Sequence, residues 1–305
     1  MTLVHRIQLG AILLFEGLVR MLPHSWVRAM GSSLGWFAYA LSRKHRRIAR
    51  INLDLVFGEQ LTPRQKTQII QRTYRHFAHA LLETLTLYRL NSNNFERTAK
   101  SHNQGVFEQA LAKGHGAILC TAHYGNWEIM NAVLGLQKVP MSVMARPIDN
   151  PLVHVHLERI RGATGNRIIY KHKSVRKILA ALAENRVVGI VNDQNVHDRN
   201  RIMIPFFGHM AATTPTPAAI AYKTGAPIIT GYSVPNGDGT YELRYHPELI
   251  EANPNADKLE EIDRISRLLN ERLEAQIRDV PHPWFWVHKR FKTGETGPSG
   301  IYDRA

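Results

Sequence analysis

Residues 117–145 read AILCTAHYGNWEIMNAVLGLQKVPMSVMA, and their changing rhythm decides the fold. Ala117 to Thr121 is a short unbroken apolar run, the pattern of a strand buried on both faces. Gly125 and Asn126 then turn the chain, and Asn126 to Leu136 reads as a helix. Met141 to Ala145 returns to a strand. Farther on, Pro151 to Arg161 reads as a helix, Arg167 to Tyr170 as a strand, Ser174 to Glu184 as a helix and Val187 to Val191 as a strand. This β-α-β-α alternation predicts an α/β layered domain whose mostly parallel or mixed central sheet is flanked by helices.

The pattern on either side is consistent with that core. Pro227 to Val234 and Thr240 to Tyr245 enclose Pro235-Asn-Gly-Asp-Gly239, a hairpin signal. Asp257 to Arg278 carries Leu259, Ile262, Ile265, Leu269, Leu273 and Ile277 at helical spacing. Upstream, Thr62-Pro63 makes a helix start, and Ile69, Ile70, Phe77, Leu81, Leu82 and Leu85 share a broad face of a helix ending near Leu90. No internal repeat or long linker interrupts the chain. We therefore expect a catalytic domain over residues 51–305, preceded by a helical, membrane-associating region over 1–50.

That N-terminal region is amphipathic. Ile7, Ala11, Leu14, Leu18 and Met21 fall at helical spacing but are interrupted by Gln8, Glu16 and Arg20, which is too polar for a membrane span. Leu34-Gly-Trp-Phe-Ala-Tyr-Ala-Leu41 is followed at once by Arg43, Lys44, His45, Arg46, Arg47 and Arg50. Apolar, aromatic segments flanked by bases suit the membrane interface; the competing reading is a pair of ordinary helices packed on the domain. The 305 residues hold 39 Lys and Arg against 25 Asp and Glu, a formal charge of +14. Such an excess attracts anionic lipids, phosphorylated substrates, acidic proteins or nucleic acid. No zinc-finger or RNA-recognition pattern accompanies it, so no nucleic-acid partner is expected. The single cysteine excludes an intrachain disulfide.

The sharpest chemical feature is Cys120-Thr-Ala-His-Tyr-Gly-Asn-Trp-Glu128, where strand hands over to helix. Substrates of open α/β sheets bind beyond the carboxyl ends of the strands, and His123 is placed there. Glu128 falls in the helix's first turn, where the helix dipole favours a carboxylate. From there it can reach back to one imidazole nitrogen and leave the other to accept a proton from an alcohol. Backbone N–H groups around Gly125 to Trp127 are candidates to face a developing oxyanion. The plainer alternative is a histidine that only ties the sheet end. Cys120 is read as a small buried strand residue rather than a nucleophile.

His123 and Glu128, spaced His-x4-Glu, resemble the His-x4-Asp/Glu motif of the glycerolipid and lysophospholipid acyltransferases. The fuller HYGNWE is similar to the form in bacterial late acyltransferases of lipid A biosynthesis. Four further stretches resemble blocks of the same family in order. These are Met144-Ala-Arg-Pro-Ile-Asp-Asn-Pro151; Gly189-Ile-Val-Asn-Asp-Gln194; Ile204-Pro-Phe-Phe-Gly208 with Ala211-Ala-Thr-Thr214 and Thr224-Gly-Ala-Pro227; and Trp284-Phe-Trp-Val-His-Lys-Arg-Phe-Lys292. The resemblance implies transfer of a fatty acyl group from acyl carrier protein or acyl-coenzyme A to a hydroxyl of a lipid A precursor. It implies His123 as general base and Glu128 as its orienting carboxylate, with no metal and no bound cofactor. It also implies work at the cytoplasmic face of the cell inner membrane, with a lysophospholipid or other glycolipid as the alternative acceptor.

The remaining site candidates keep two readings each. Arg146, after a strand, is placed to meet a phosphate or else Asp149. Gly125, Asn126, Asp193 and Gln194 are expected to line the substrate site, with Asp193 orienting Arg146 or a donor group, or merely tying a loop. His154 and His156 fit no common zinc spacing. Pro205-Phe-Phe-Gly208 is either tunnel lining or core. Trp284, Trp286, Lys289, Arg290 and Lys292 either meet the membrane, close the site or form a solvated basic tail.

Overall fold

The computed structural model describes residues 2–170, 174–196, 201–293 and 300–302. Four helices lead: α1 (Leu3–Met21), α2 (His24–Leu41), α3 (Arg43–Phe57) and α4 (Pro63–Leu85). Then follow α5 (Phe95–Thr98), β1 (Ala99–His102), α6 (Val106–Leu111), β2 (Ala117–Thr121), α7 (Trp127–Leu136), β3 (Met141–Ala145) and α8 (Pro151–Gly162). After these come β4 (Arg167–Tyr170), α9 (Ser174–Ala183), β5 (Val187–Val191), β6 (Ile202–Phe206), β7 (His209–Thr213) and α10 (Thr216–Thr224). The chain closes through β8 (Ile228–Pro235), β9 (Tyr241–Tyr245) and α11 (Lys258–Asp279).

Seven strands form one sheet in the order β1-β9-β8-β2-β5-β3-β4. The β8–β9 hairpin is antiparallel and β1 runs parallel to β9, so β1 and β9 oppose the other five. The sheet is therefore mixed, with a parallel centre. Alternation along β2 divides the core into two layers. Ala117 and Leu119 pack with Val106, Phe107 and Ala110 of α6 and Ile129, Met130 and Val133 of α7. Ile118 and Cys120 face Ile178 of α9, Ala218 of α10 and Ile265 and Leu269 of α11.

A third cluster joins the early helices to the end of the chain. Ile48, Leu53 and Phe57 of α3 and Ile69 and Ile70 of α4 pack with Phe206, Phe207, Trp284, Trp286 and Phe291. Residue 50, where the sequence reading divides the chain, thus lies inside a helix that is part of this core. Pro205-Phe-Phe-Gly208 is also core, with Phe206 fully buried. The β6–β7 ribbon formed no part of the sequence reading, and a proline such as Pro205 is unusual within a strand. It is tolerated in a two-stranded ribbon, and Phe207 and Gly208 turn the chain at φ +50° and +76°.

α4 opens with a full capping box between Thr62 and Gln65. It ends at Leu85, and a short 3-10 turn over Leu87–Arg89 completes the span expected to be helical. α1 and α2 leave large apolar side chains in solvent, among them Ile7, Leu14, Leu18, Trp26, Trp36 and Phe37. Among the described residues no helix is long and apolar enough to cross a membrane.

Where the chain leaves β2 it passes hard against β8. Gly125 has φ +63°, and a Cβ built there would lie 1.5 Å from the Ser233 carbonyl oxygen. No relaxation of a single side chain relieves a clash with backbone. Gly125→Ala should therefore cost more than about 3 kcal/mol or abolish soluble expression, as severe backbone strain and overpacking do. Gly10→Ala, on an α1 face with nothing within 4 Å, should be neutral or stabilise by up to about 1 kcal/mol. Denaturant unfolding of the two variants provides the comparison.

Candidate active site

His123 lies two residues beyond β2 and Asp193 two residues beyond β5. The parallel register, Ala117 opposite Val187 through Thr121 opposite Val191, continues as Asn192 N–H donates to the Thr121 carbonyl at 3.2 Å. His123 and Asp193 are the next same-side pair along that register. His123 Nδ1 and Asp193 Oδ1 are 2.8 Å apart. The other Asp193 oxygen accepts from the Trp284 indole N–H at 2.9 Å. Gln194 Nε2 approaches His123 Nε2 at 3.3 Å. Carboxylate on one side and amide donor on the other select the tautomer with the proton on Nδ1 and a lone pair on Nε2.

Burial opposes charge on both partners, but their mutual attraction prevails. Desolvation pulls His123 down; the Asp193 charge and hydrogen bond outweigh it and leave the imidazole above its usual value. Asp193 is buried, which alone would push its carboxyl up. The His123 charge, hydrogen bonds from His123 and the Trp284 indole bring it instead to about 2. Asp193 is thus ionised at neutral pH while His123 remains able to exchange a proton.

Glu128 differs from expectation. It stands in the first turn of α7, as foreseen, but its carboxylate faces Arg161 of α8. Arg161 Nε donates to its two oxygens at 3.0 and 3.1 Å, and Nη2 to Oε1 at 2.5 Å. Among the described residues no hydrogen bond joins Glu128 to His123. The contact that orients the imidazole comes from Asp193, a residue the sequence placed in the site with a different task.

The other candidates divide. The Gly125 N–H is occupied by the Pro283 carbonyl at 3.0 Å and is not open to an oxyanion. Asn126 caps α7 by accepting from Ile129 N–H at 3.1 Å, while its amide donates to Glu83 at 2.9 Å. It builds the turn. Arg146 is exposed just after β3 and has no hydrogen bond or ion pair among the described residues, with Asp149 or any other group. His154 and His156 turn to separate partners: His154 Nδ1 accepts from the Ile148 N–H at 3.3 Å, and His156 Nε2 meets Glu16 of α1 at 2.6 Å. Burial pushes the Cys120 thiol far up, the opposite of an activated nucleophile.

Residues 281–286 form the site's third side. Phe285 N–H donates to the His123 carbonyl at 3.0 Å, and Tyr124 and Trp284 form an antiparallel bridge. Trp127 packs edge-on to the imidazole at 5.2 Å, and Phe285 lies 6.2 Å from it. Trp284, Trp286 and Arg290 are buried rather than a solvated tail. Arg290 donates to the Ala212 carbonyl at 2.6 Å and to Thr213 at 2.8 Å, tying this segment to β7.

A carboxylate-oriented histidine beside a half-open aromatic wall, at the carboxyl edge of the sheet's parallel centre, is an arrangement able to accept and return a proton. The chain belongs to the bacterial lipid A biosynthesis acyltransferase family, whose profile matches residues 3–293. It is similar to the lipid A biosynthesis palmitoleoyltransferase of Escherichia coli K12, with 25% identity over 92% of this chain and 90% of the relative. It resembles the lipid A biosynthesis lauroyltransferase of the same organism at 25% identity over 93% and 91% of the two chains. A lipid A biosynthesis acyltransferase of Haemophilus influenzae is 26% identical over 92% and 89%.

Sequence reasoning passed over Trp127 and Phe285 beside the imidazole, and Arg161, the partner of Glu128. The signal of Arg161, an arginine in the last turn of a helix after the Arg-Pro block, is indistinguishable from an ordinary helix-end cation. The ion pair of His123 with Asp193 has a measurable consequence. His123 followed by NMR should titrate above 6.5 in the wild type. In Asp193→Asn the attraction is gone and burial remains, so the midpoint should fall below 6.5; an unchanged midpoint would show that Asp193 does not set it.

Proposed function

We propose that the protein transfers a fatty acyl group from a thioester donor, acyl carrier protein or acyl-coenzyme A, to a hydroxyl of a lipid A precursor. One observation carries the reading: Asp193 holds His123 Nδ1 and leaves the lone pair on Nε2, where an acceptor O–H would replace the Gln194 amide, in a chain of this family. The acceptor O–H gives its proton to Nε2 as its oxygen attacks the thioester carbonyl. The imidazolium is stabilised by ionised Asp193. When the C–S bond breaks, the proton returns to the departing thiolate. This sequence needs neither a metal nor a bound cofactor.

Glu128 then serves indirectly. Its two-pronged grip fixes Arg161 and leaves Nη1 without a protein partner among the described residues, free to meet an anionic oxygen of the substrate. Arg146, exposed near the same edge, is a second candidate for that task. The net charge of +14 favours an acidic carrier protein and a phosphate-bearing acceptor. The exposed apolar faces of α1 and α2, with the bases opening α3, suit peripheral docking on an anionic inner-membrane surface, where the acceptor resides.

Incubation with lipid A precursor and acyl carrier protein charged with several chain lengths, read by mass spectrometry, tests the assignment. His123→Ala should reduce transfer by about a hundredfold or more at unchanged unfolding midpoint. A variant with normal turnover removes His123 from the mechanism, and transfer to a glycerol lysolipid alone moves the acceptor. The acidic limb of the wild-type kcat/KM profile should lie above pH 6.5, because the base must be neutral and its pKa is raised.

Membrane docking has its own readout. Replacing Trp26, Trp36 and Phe37 together with Ser removes apolar groups that each contribute about 1.5–3 kcal/mol when fully buried. Cosedimentation with vesicles of anionic phospholipid should fall sharply. Equal binding by the variant would place the contact elsewhere.

A further inference from the structure

A cavity of about 390 Å³ opens between α2, α4 and the tip of the β8–β9 hairpin. α4 presents Arg72, Arg75, His76, His79 and Glu83 to it, residues spaced at three and four along one helical face. α2 brings Arg28 and Ser32, and His282 enters from the 281–286 segment that also walls His123. Close approach of the two helices makes this possible, since Gly31 lies against His79 and Gly35 against the Arg75 backbone.

We propose that this cavity binds a phosphate group, as monoester or diphosphate, carried by the lipid acceptor. The carrier of the phosphate rests on the reading of His123 as a base on a lipid hydroxyl; the anion site does not.

The cationic groups are disposed for a ligand more than for each other. Arg28 donates to the Gly237 carbonyl at 2.5 Å, which fixes it against the hairpin. The Arg72 and Arg75 guanidinium groups have no hydrogen-bond or ion-pair partner among the described residues. His76 is 6% exposed, yet its Nε2 has no partner. Orphaned buried polar atoms are uncommon, and this one borders a polar cavity.

The acidic groups nearby are already engaged. Glu83 accepts from Tyr241 at 2.5 Å and from Asn126 at 2.9 Å, and burial pushes its carboxyl up. Asp238 at the hairpin accepts from Thr240 N–H and hydroxyl at 2.8 and 2.6 Å. Burial first, then the Arg72 and Arg75 charges, hold His282 down to about 4. Burial brings His76 to about 4 as well, against an opposing hydrogen bond with the Gly125 backbone and with His282 and His79 adding to the fall. The field inside is positive, and planar guanidinium forks match phosphate oxygens.

Two features point to a lipid as carrier. Arg28, Ser32 and Trp36 follow at i, i+4 and i+8 on α2, so the cavity's edge continues into a tryptophan that is 66% exposed. The cavity also adjoins the catalytic turn, because Asn126, three residues from His123, holds Glu83 of its wall.

The test uses the full chain and its Arg72→Gln/Arg75→Gln double variant, both side chains being exposed and removable without opening the core. Titration calorimetry with inorganic pyrophosphate should show binding to the wild type and to His123→Ala, weakened at least about tenfold in the double variant. In the transfer assay the double variant should raise KM for the phosphorylated acceptor about tenfold or more, with donor KM unchanged. Equal pyrophosphate binding by wild type and double variant would overturn the anion site. A rise in donor KM alone would overturn the lipid assignment, as would an equal loss with an acceptor stripped of its phosphate. Failure of His123→Ala to lose transfer, with pyrophosphate binding intact, would strike the base reading and not the pocket.

Discussion

Between β2 and β5 the strands advance in parallel, one residue for one, from Ala117 opposite Val187 to Thr121 opposite Val191. That registry is locked by burial on both faces of both strands, where a slip of one residue would exchange the two apolar layers. Its consequence is felt past the strand ends. Asn192 still pairs with Thr121, and His123 and Asp193 then emerge as neighbours at 2.8 Å. The histidine is oriented by a residue 70 positions away in sequence because two apolar strands share a register. The site's geometry is therefore as rigid as the centre of the sheet, and preorganisation of this kind is what proton transfer rewards.

A strand end alone leaves a dyad open to water, and the second constraint is how this one is walled. Gly125 lets the chain graze the Ser233 carbonyl and still present its N–H to Pro283. Phe285 then pairs with the His123 carbonyl, and Trp284 brings an indole N–H to the free oxygen of Asp193. The closing segment is anchored in turn by Asn52 of α3, whose amide donates to the Trp286 and His288 carbonyls at 2.7 and 2.8 Å. Local chemistry at His123 thus depends on a helix near the N-terminus and a segment near the C-terminus. The structural support of this candidate site therefore extends to α3.

Much of this was legible from residues. Period and punctuation located the central strands and helices between Ala117 and Val191, because buried strands and amphipathic helices differ in spacing and the turns are marked by Gly and Asn. The placement of His123 at a strand end was also readable. Its partner was not: Glu128, five residues on, was the near carboxylate, and strand order, which decides that β5 rather than β3 lies beside β2, leaves no local trace. Asp193 was in view as a site residue without its role. Arg161 was invisible because a helix-end arginine has an ordinary explanation. The β6–β7 ribbon formed no part of that reading, and a proline such as Pro205 is unusual within a strand unless the edge is free.

The apolar surface that hydropathy suggested and the cationic cavity fall on the same helices, which bears on how a lipid would reach His123. α2 turns Trp26, Phe37 and Leu41 outward to solvent and Arg28 and Ser32 inward to the cavity beside α4. α1 is tied to the catalytic body by Glu16, which meets His156 of α8, and by Asn150, whose amide reaches the His5 carbonyl and Gln8. α8 also carries Arg161, the partner of Glu128. The apolar surface, the cationic cavity and the paired carboxylate are therefore parts of one body. On the proposed reading, a lipid whose acyl chains stay in the interface and whose headgroup enters the cavity would bring its hydroxyls toward His123 without leaving the membrane plane, and its orientation would be set before any proton moved.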